Sequence, residues 1–184
     1  MLKVSDLISR GGYSREDFVF FWGHKDRANG LGKHCLSQWY QAPMVIDGVY
    51  YNCMEQYIMA EKARLFNDAE TESRIMAEYS QMAIKKLGRQ VVGYVDAQWK
   101  AVRQQVSVKG NIAKFSQNKA LGEFLLSTGN KIIVEASPKD TIWGIGLAED
   151  SAEAIDPRKW RGENILGFAL MAVREILRSV DSIL

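Results

Sequence analysis

Runs apolar enough to form a buried strand are scarce in this chain, and that scarcity limits its fold more than any other feature. Phe18-Val19-Phe20-Phe21-Trp22 is one such run and Lys131-Ile132-Ile133-Val134-Glu135-Ala136 is the other. Within residues 44–51, Asp47-Gly48 falls between apolar neighbours, a strong hairpin signal. Most of the remainder reads as helix. Asn52 is placed to cap a helix running to about Phe66. Further helices are expected over residues 69–79 and 82–88. Asp96 can cap a long one over 97–115, with a possible break at Gly110. Asn118 can cap another to Leu126, with Gly129 just past its end. The last helix, 163–180, carries Ile165, Leu166, Ala169, Leu170, Val173, Ile176, Leu177 and Val180 on one broad stripe. Residues 23–33 and 150–161 read as loop. The expected fold is α+β: a compact, mostly helical single domain over 1–184, with a few short strands and a core at about 18–180.

Of the 184 residues, 47% are hydrophobic and 25% charged, enough for a sizeable core. No apolar run approaches the roughly 18–20 residues that span a bilayer, and the N-terminus lacks the build of a signal peptide. Cys35 and Cys53 are too few for a disulfide framework, so a reducing, cytoplasmic setting is expected with no membrane partner. The net charge of +2 predicts no partner. Its distribution says more: Lys85, Lys86, Arg89, Lys100, Arg103, Lys109, Lys114 and Lys119 face one acid, Asp96. That local excess either attracts phosphate groups or forms a solvated helix face.

Two stretches hold polar, reactive residues where packing does not ask for them. The first is the helix after Asn52. Glu55 and Lys62 lie seven residues apart, within about 20° of each other on one face. Glu55 could instead close a capping box with Asn52, and Lys62 could be a solvated lysine. In a first helical turn the helix dipole favours an ionised carboxylate, suited to face a developing positive charge. The second stretch follows the 131–136 strand. It holds Ser137, Asp140, Trp143, Gly144 and Gly146. Asp140 reads as a loop acid or as the cap of a short turn over 141–143. Trp143 could stack on a base or fill the core, and Gly144 could admit a ligand close to the backbone. Trp99 and Trp22 are open to the same two readings. Asn164 could cap the last helix or bind a sugar hydroxyl. A carboxylate, an amine and an aromatic plate are what a pocket needs to hold a base and cut it from its sugar. His24 and His34 have no partner at metal-ligand spacing, so no metal or cofactor is expected. There is no phosphate-binding glycine loop and no nucleophile elbow.

In order along the chain, these motifs resemble the NADAR domain family. The resemblance is carried by Phe21-Trp22-Gly23, Leu36-Ser37-Gln38-Trp39-Tyr40, Met54-Glu55-Gln56-Tyr57 through Lys62-Ala63, Leu87-Gly88-Arg89, Trp99, Gly110-Asn111 to Lys114-Phe115 and Gln117-Asn118. It continues through Glu135-Ala136-Ser137-Pro138 with Asp140, Trp143-Gly144-Ile145-Gly146, and Gly162 with Asn164-Ile165-Leu166-Gly167. It implies a NADAR-like (YbiA-like) fold and an N-glycosidase acting on a ribosyl–base bond. The substrates implied are ADP-ribosylated guanine in DNA or RNA, with the domain as an antitoxin, or phosphoribosylamino-pyrimidine intermediates of riboflavin synthesis. Either way the partner is a nucleotide-like molecule, ADP-ribose or a phosphoribosyl compound. Glu55, Trp99, Asp140 and Trp143 fall on family functional positions. Glu55 or Asp140 would stabilise an oxocarbenium-like state while the other activates water. Lys62 would offer an alternative, covalent route through an imine. Trp22, Gly23, Asn111, Lys114, Ser137, Gly144 and Asn164 complete the implied substrate-binding set. The region 23–35 is longer and more polar than in compact members, which bears on substrate choice. A domain that binds ADP-ribose or a related nucleotide without turnover is the competing reading.

Overall fold

The computed structural model describes residues 2–24 and 30–181. In chain order the elements are helix α1 (Val4–Arg10), strand β1 (Phe18–Phe21), strands β2 (Gln41–Ile46) and β3 (Val49–Cys53), and helices α2 (Met54–Leu65), α3 (Ala69–Met76), α4 (Gln81–Gly88), α5 (Asp96–Gln117) and α6 (Lys119–Ser127). Strand β4 (Ile132–Glu135) and helix α7 (Ile165–Asp181) follow. The class is α+β, as expected. Residues 25–29 of the expected 23–33 loop lie outside the described residues. None of the described helices is long and apolar enough to cross a membrane.

The chain folds as two compact units, one made of residues 1–37 and 120–184, the other of residues 38–119. In the first, β1 and β4 pair in parallel with Phe18 opposite Ile132 and Phe21 opposite Glu135. Both strands are almost wholly apolar because a parallel pair is covered on both faces. The apolar stripe of α7 packs on β4. Leu166, Ala169, Leu170 and Val173 on that stripe are buried. Arg174 is buried too, and its Nη1 donates to Thr128 Oγ1 (2.8 Å) and Lys131 O (2.9 Å), pinning the α6–β4 turn.

In the second unit β2 and β3 form the expected hairpin. Asp47 (φ 52°) and Gly48 (φ 79°) take the left-handed conformations that a tight two-residue turn demands. Gln117 extends the free edge of β2: its Oε1 accepts from Val45 N and its Nε2 donates to Val45 O, both at 2.8 Å. Helix α2 is the hub, packing against α3, α4 and α5.

Two expected caps are displaced. Asn52 lies inside β3, so the cap moves one residue on, to Cys53, and α2 starts at Met54. The pairing of Cys53 with Gln41 carries the strand past Asn52 and overrides its capping preference. Asp96 is the first residue of α5 rather than its cap. Asn118 does stand immediately before α6, and its side-chain amide donates to Pro43 O and Lys114 O. Helix α5 runs unbroken through Gly110, where a Cβ would lie 2.5 Å from Tyr57 Cδ1 and 2.7 Å from Met54 Cε. Glycine there lets α5 sit close against α2.

Candidate active site

The α2 N-terminus is built by its neighbours rather than by a side-chain cap. The Glu55 amide donates to Gln38 O (2.9 Å). Gln56 Oε1 accepts from the Asn52 amide (2.9 Å), and its Nε2 donates to Ile75 O and Glu78 O, both at 3.1 Å. Asn52 Nδ2 adds a bond to Glu78 O (3.2 Å). Gln56 therefore does the reaching back expected of Glu55, and the capping-box reading of Glu55 does not hold. Glu55 is nonetheless only 4% exposed. Carboxylates are almost never buried without a specific reason.

Helix α5 supplies the matching oddity. Trp99, Arg103, Ser107, Asn111 and Lys114 recur at helical spacing and all are buried, Lys114 completely. This corrects the solvated-face reading for two of the eight cations, Arg103 and Lys114. Lys109 and Lys100 do sit in solvent, paired with Asp47 and Asp96. The Lys114 amine lies over the rings of Phe115 (5.0 Å to the centroid) and Tyr40 (5.7 Å). Asn111 Nδ2 donates to Ser107 O (2.9 Å), while its buried Oδ1 accepts from none of the described residues. The Cys53 thiol is pushed up to about 11, first by burial and further by Glu55, against the pull of Lys114. The buried carboxylate and the buried ammonium thus both act on one thiol, which stays protonated and unreactive.

Lys62 is not a solvated lysine. It is half-buried, its Nζ donates to Gly88 O (2.6 Å), and it lies 4.2 Å from the centre of the Tyr94 ring. Burial, then the charge of Arg89, lowers its proton affinity below the usual lysine range, and Glu55 opposes that drop. The electrostatic link between Glu55 and Lys62 follows from their shared helix face.

In the other unit, parallel pairing puts the carboxyl ends of β1 and β4 side by side. Trp22 and Gly23 leave one end, and the loop from Ala136 to Gly146 leaves the other, with Ala136 N donating to Phe21 O (2.9 Å). The carboxyl ends of parallel strands are where such sheets hold ligands. Trp22 is 55% exposed, which corrects the core reading of its indole, and Gly23 (φ 83°) is exposed beside it. Ser137 is buried and Trp143 half-buried.

Asp140 shapes this loop: its Oδ1 accepts from Ile142 N (2.9 Å) and Trp143 N (2.8 Å). The expected short helical turn is a series of bends instead. Gly144 serves packing, since a Cβ there would lie 2.6 Å from Glu135 O. Asn164 (φ 51°) is fully buried, and its side chain is spent on β4, accepting from Glu135 N and donating to Ile133 O, each at 3.0 Å. It does not cap α7 through its side chain, and its complete burial keeps that side chain from solvent. The first amides of α7 are satisfied by the loop itself, Ile165 N by Ile142 O and Leu166 N by Trp143 O.

Among the described residues, no three of His, Cys, Asp or Glu are grouped to hold a metal ion. The expected site residues did not include the buried Gln38, Gln56, Arg103 and Ser107. The signal available for Arg103 and Ser107 was a polar stripe at helical spacing in line with Trp99, Asn111 and Lys114.

Residues 20–178 match the NADAR domain. The N-glycosidase R617 of Acanthamoeba polyphaga mimivirus is 43% identical over 165 residues, 87% of this chain and 96% of that protein. An N-glycosidase of Nostoc punctiforme is 30% identical over 149 residues, 81% of this chain and 88% of its own. The NMR structure of the Escherichia coli protein YbiA superposes with a TM-score of 0.71 at 26% identity, covering 93% of this chain and 90% of that one.

Proposed function

The chain belongs to the NADAR domain family, and on that premise we propose that it hydrolyses the N-glycosidic bond between a phosphate-bearing ribose and a nitrogenous base. Glycosyl hydrolysis at nitrogen is the activity named in its relatives. The substrate proposed is ADP-ribosylated guanine in nucleic acid or a phosphoribosylamino-pyrimidine intermediate. The observation that carries the reading is Glu55, a buried carboxylate in the first turn of α2, relieved of capping by Gln56.

As the C1′–nitrogen bond breaks, positive charge develops on C1′ and the ring oxygen. A carboxylate fixed in a site of low dielectric stabilises that charge without reorganising, usually the largest catalytic contribution. We assign this role to Glu55. Water then adds to C1′ and a proton goes to the departing nitrogen. Asp140 is assigned to hold the Trp143 loop and to present a negative charge beside it. The indoles of Trp22, Trp99 and Trp143 are assigned to stacking.

Lys62 supports a covalent variant of the same reaction. Its lowered proton affinity makes deprotonation easier than for a solvated lysine. That amine would attack C1′ as the base leaves with a proton, the sugar ring would open to an imine, and water would then release the sugar. Borohydride distinguishes the routes: a substrate-dependent adduct on Lys62 supports the imine, and its absence supports direct hydrolysis.

The test is mass analysis after incubation with both substrate classes. Free guanine from ADP-ribosylated DNA or RNA supports one assignment. Ribose 5-phosphate released from the pyrimidine intermediate supports the other. Calorimetric binding of ADP-ribose with no cleavage of either would overturn the proposal in favour of a binding module.

A further inference from the structure

Three basic residues lie on or against the C-terminal part of α4, and none forms an ion pair among the described residues. Lys85 and Arg89 are one helical turn apart and share a face, since Arg89 continues the helical backbone past Gly88 (φ −82°, ψ −14°). Lys62 reaches across from α2 to the Gly88 carbonyl, which brings its ammonium beside residue 89. No acid occurs in α4 to offset them. Two rings frame the cluster: Trp39 lies under the Lys85 amine (5.6 Å to the centroid) and Tyr94 under the Lys62 amine.

A helix C-terminus favours cations, and Lys85 and Arg89 lie within the last turn and at the cap of α4. That preference does not call for a further cation, since Lys62 already takes the terminal Gly88 carbonyl. Placing Lys85 and Arg89 on one face adds like-charge repulsion, and the charge of Arg89 further lowers the proton affinity of Lys62. An anion among the three removes each of these costs together. Guanidinium and ammonium groups at this spacing suit the oxygens of a phosphate, which Arg binds as a fork and Lys as a point charge.

We infer that Lys85, Arg89 and Lys62 form a phosphate-recognition subsite at the end of α4, flanked by Trp39 and Tyr94 as stacking or shielding rings. The subsite rests on the proposed reaction only for the carrier of the phosphate, either the 5′-phosphate of a small ribosyl compound or a phosphodiester of nucleic acid. It also gives the basic run after Lys85 a local purpose that net charge could not reveal.

Inorganic pyrophosphate is the probe, titrated at low salt and followed by calorimetry and by amide shifts. Wild type should bind it, with the largest shifts at Gly88 and Arg89. The double variant Lys85→Gln/Arg89→Gln should bind at least tenfold more weakly. The charge-matched control Lys86→Gln/Lys100→Gln should stay within twofold of wild type. Ribose 5-phosphate and a short single-stranded oligonucleotide are run as further arms. The ligand whose affinity the first pair reduces tenfold identifies the carrier. Absence of pyrophosphate binding, or equal loss in both double variants, overturns the subsite. Because pyrophosphate is not cleaved by a glycosidase, this result is independent of whether the proposed reaction occurs.

Discussion

At the scale of single residues, the informative contrast is between Glu55 and Asp140. Both are acids near the start of a turn of chain: Asp140 spends its carboxylate on two backbone amides, and Glu55 is buried in the first turn of α2. Glu55→Gln keeps the side-chain shape and removes the charge. Turnover is expected to fall by several powers of ten while the melting temperature stays within a few degrees; near-normal turnover would remove Glu55 from the mechanism. Asp140 calls for two variants. Asn retains an oxygen for the amides of Ile142 and Trp143, so Asp140→Asn should stay folded and report the charge alone, again as a large loss of rate. Ala removes both bonds and should cost about 1–3 kcal/mol in denaturant unfolding. If Asn and Ala are equally destabilising, the loop is not held as described. The shared face of Glu55 and Lys62 was legible from spacing alone. The replacement of Glu55 by Gln56 in the cap was not, because strand pairing at Cys53 decided where α2 could begin.

At the scale of elements, close approaches of backbone decide which glycines matter. Gly144 has a backbone oxygen, Glu135 O, where its Cβ would go, and a strand carbonyl cannot swing aside. Gly110 meets the ring of Tyr57 and the flexible end of Met54. Gly144→Ala is therefore expected to cost more than Gly110→Ala, with the latter near the usual overpacking range of about 1–3 kcal/mol. Thermal melts of the two variants check the ranking, and a reversed order would contradict the packing described. The long helices, both strand pairs' component runs and the Asp47-Gly48 turn could all be read from periodicity and turn chemistry. Helix α1 could not, since seven mostly polar residues with a single buried side chain, Leu7, carry no periodic signal. The buried polar stripe of α5 inverts the usual rule that polar faces meet water, so an amphipathicity argument points it the wrong way.

For the molecule as a whole, a net charge of +2 conceals strongly local electrostatics. Asp17, Asp68, Glu78, Asp96 and Asp156 all have carboxyls held below their usual range, mainly by hydrogen bonds from backbone amides and neighbouring side chains. Groups whose folded affinity for a proton is depressed add stability above their ordinary values of 3.8 for Asp and 4.5 for Glu, and lose it as pH falls below them. The melting temperature should thus drop on acidification through that range. Asp68→Asn, which removes the carboxylate accepting from Thr71 N and Val92 N, should flatten the acid limb. An unchanged limb would assign acid sensitivity elsewhere. The amino-acid order by itself determined the α+β class, the hairpin and the helical face shared by Glu55 and Lys62, because periodicity and turn chemistry act between near neighbours. Only the tertiary structure decided that Asn164 props β4, that Lys114 is buried while Trp22 is exposed, and that Lys62 stands beside Arg89. Those outcomes depend on which distant segment packs against each side chain, and short-range pattern does not contain that information.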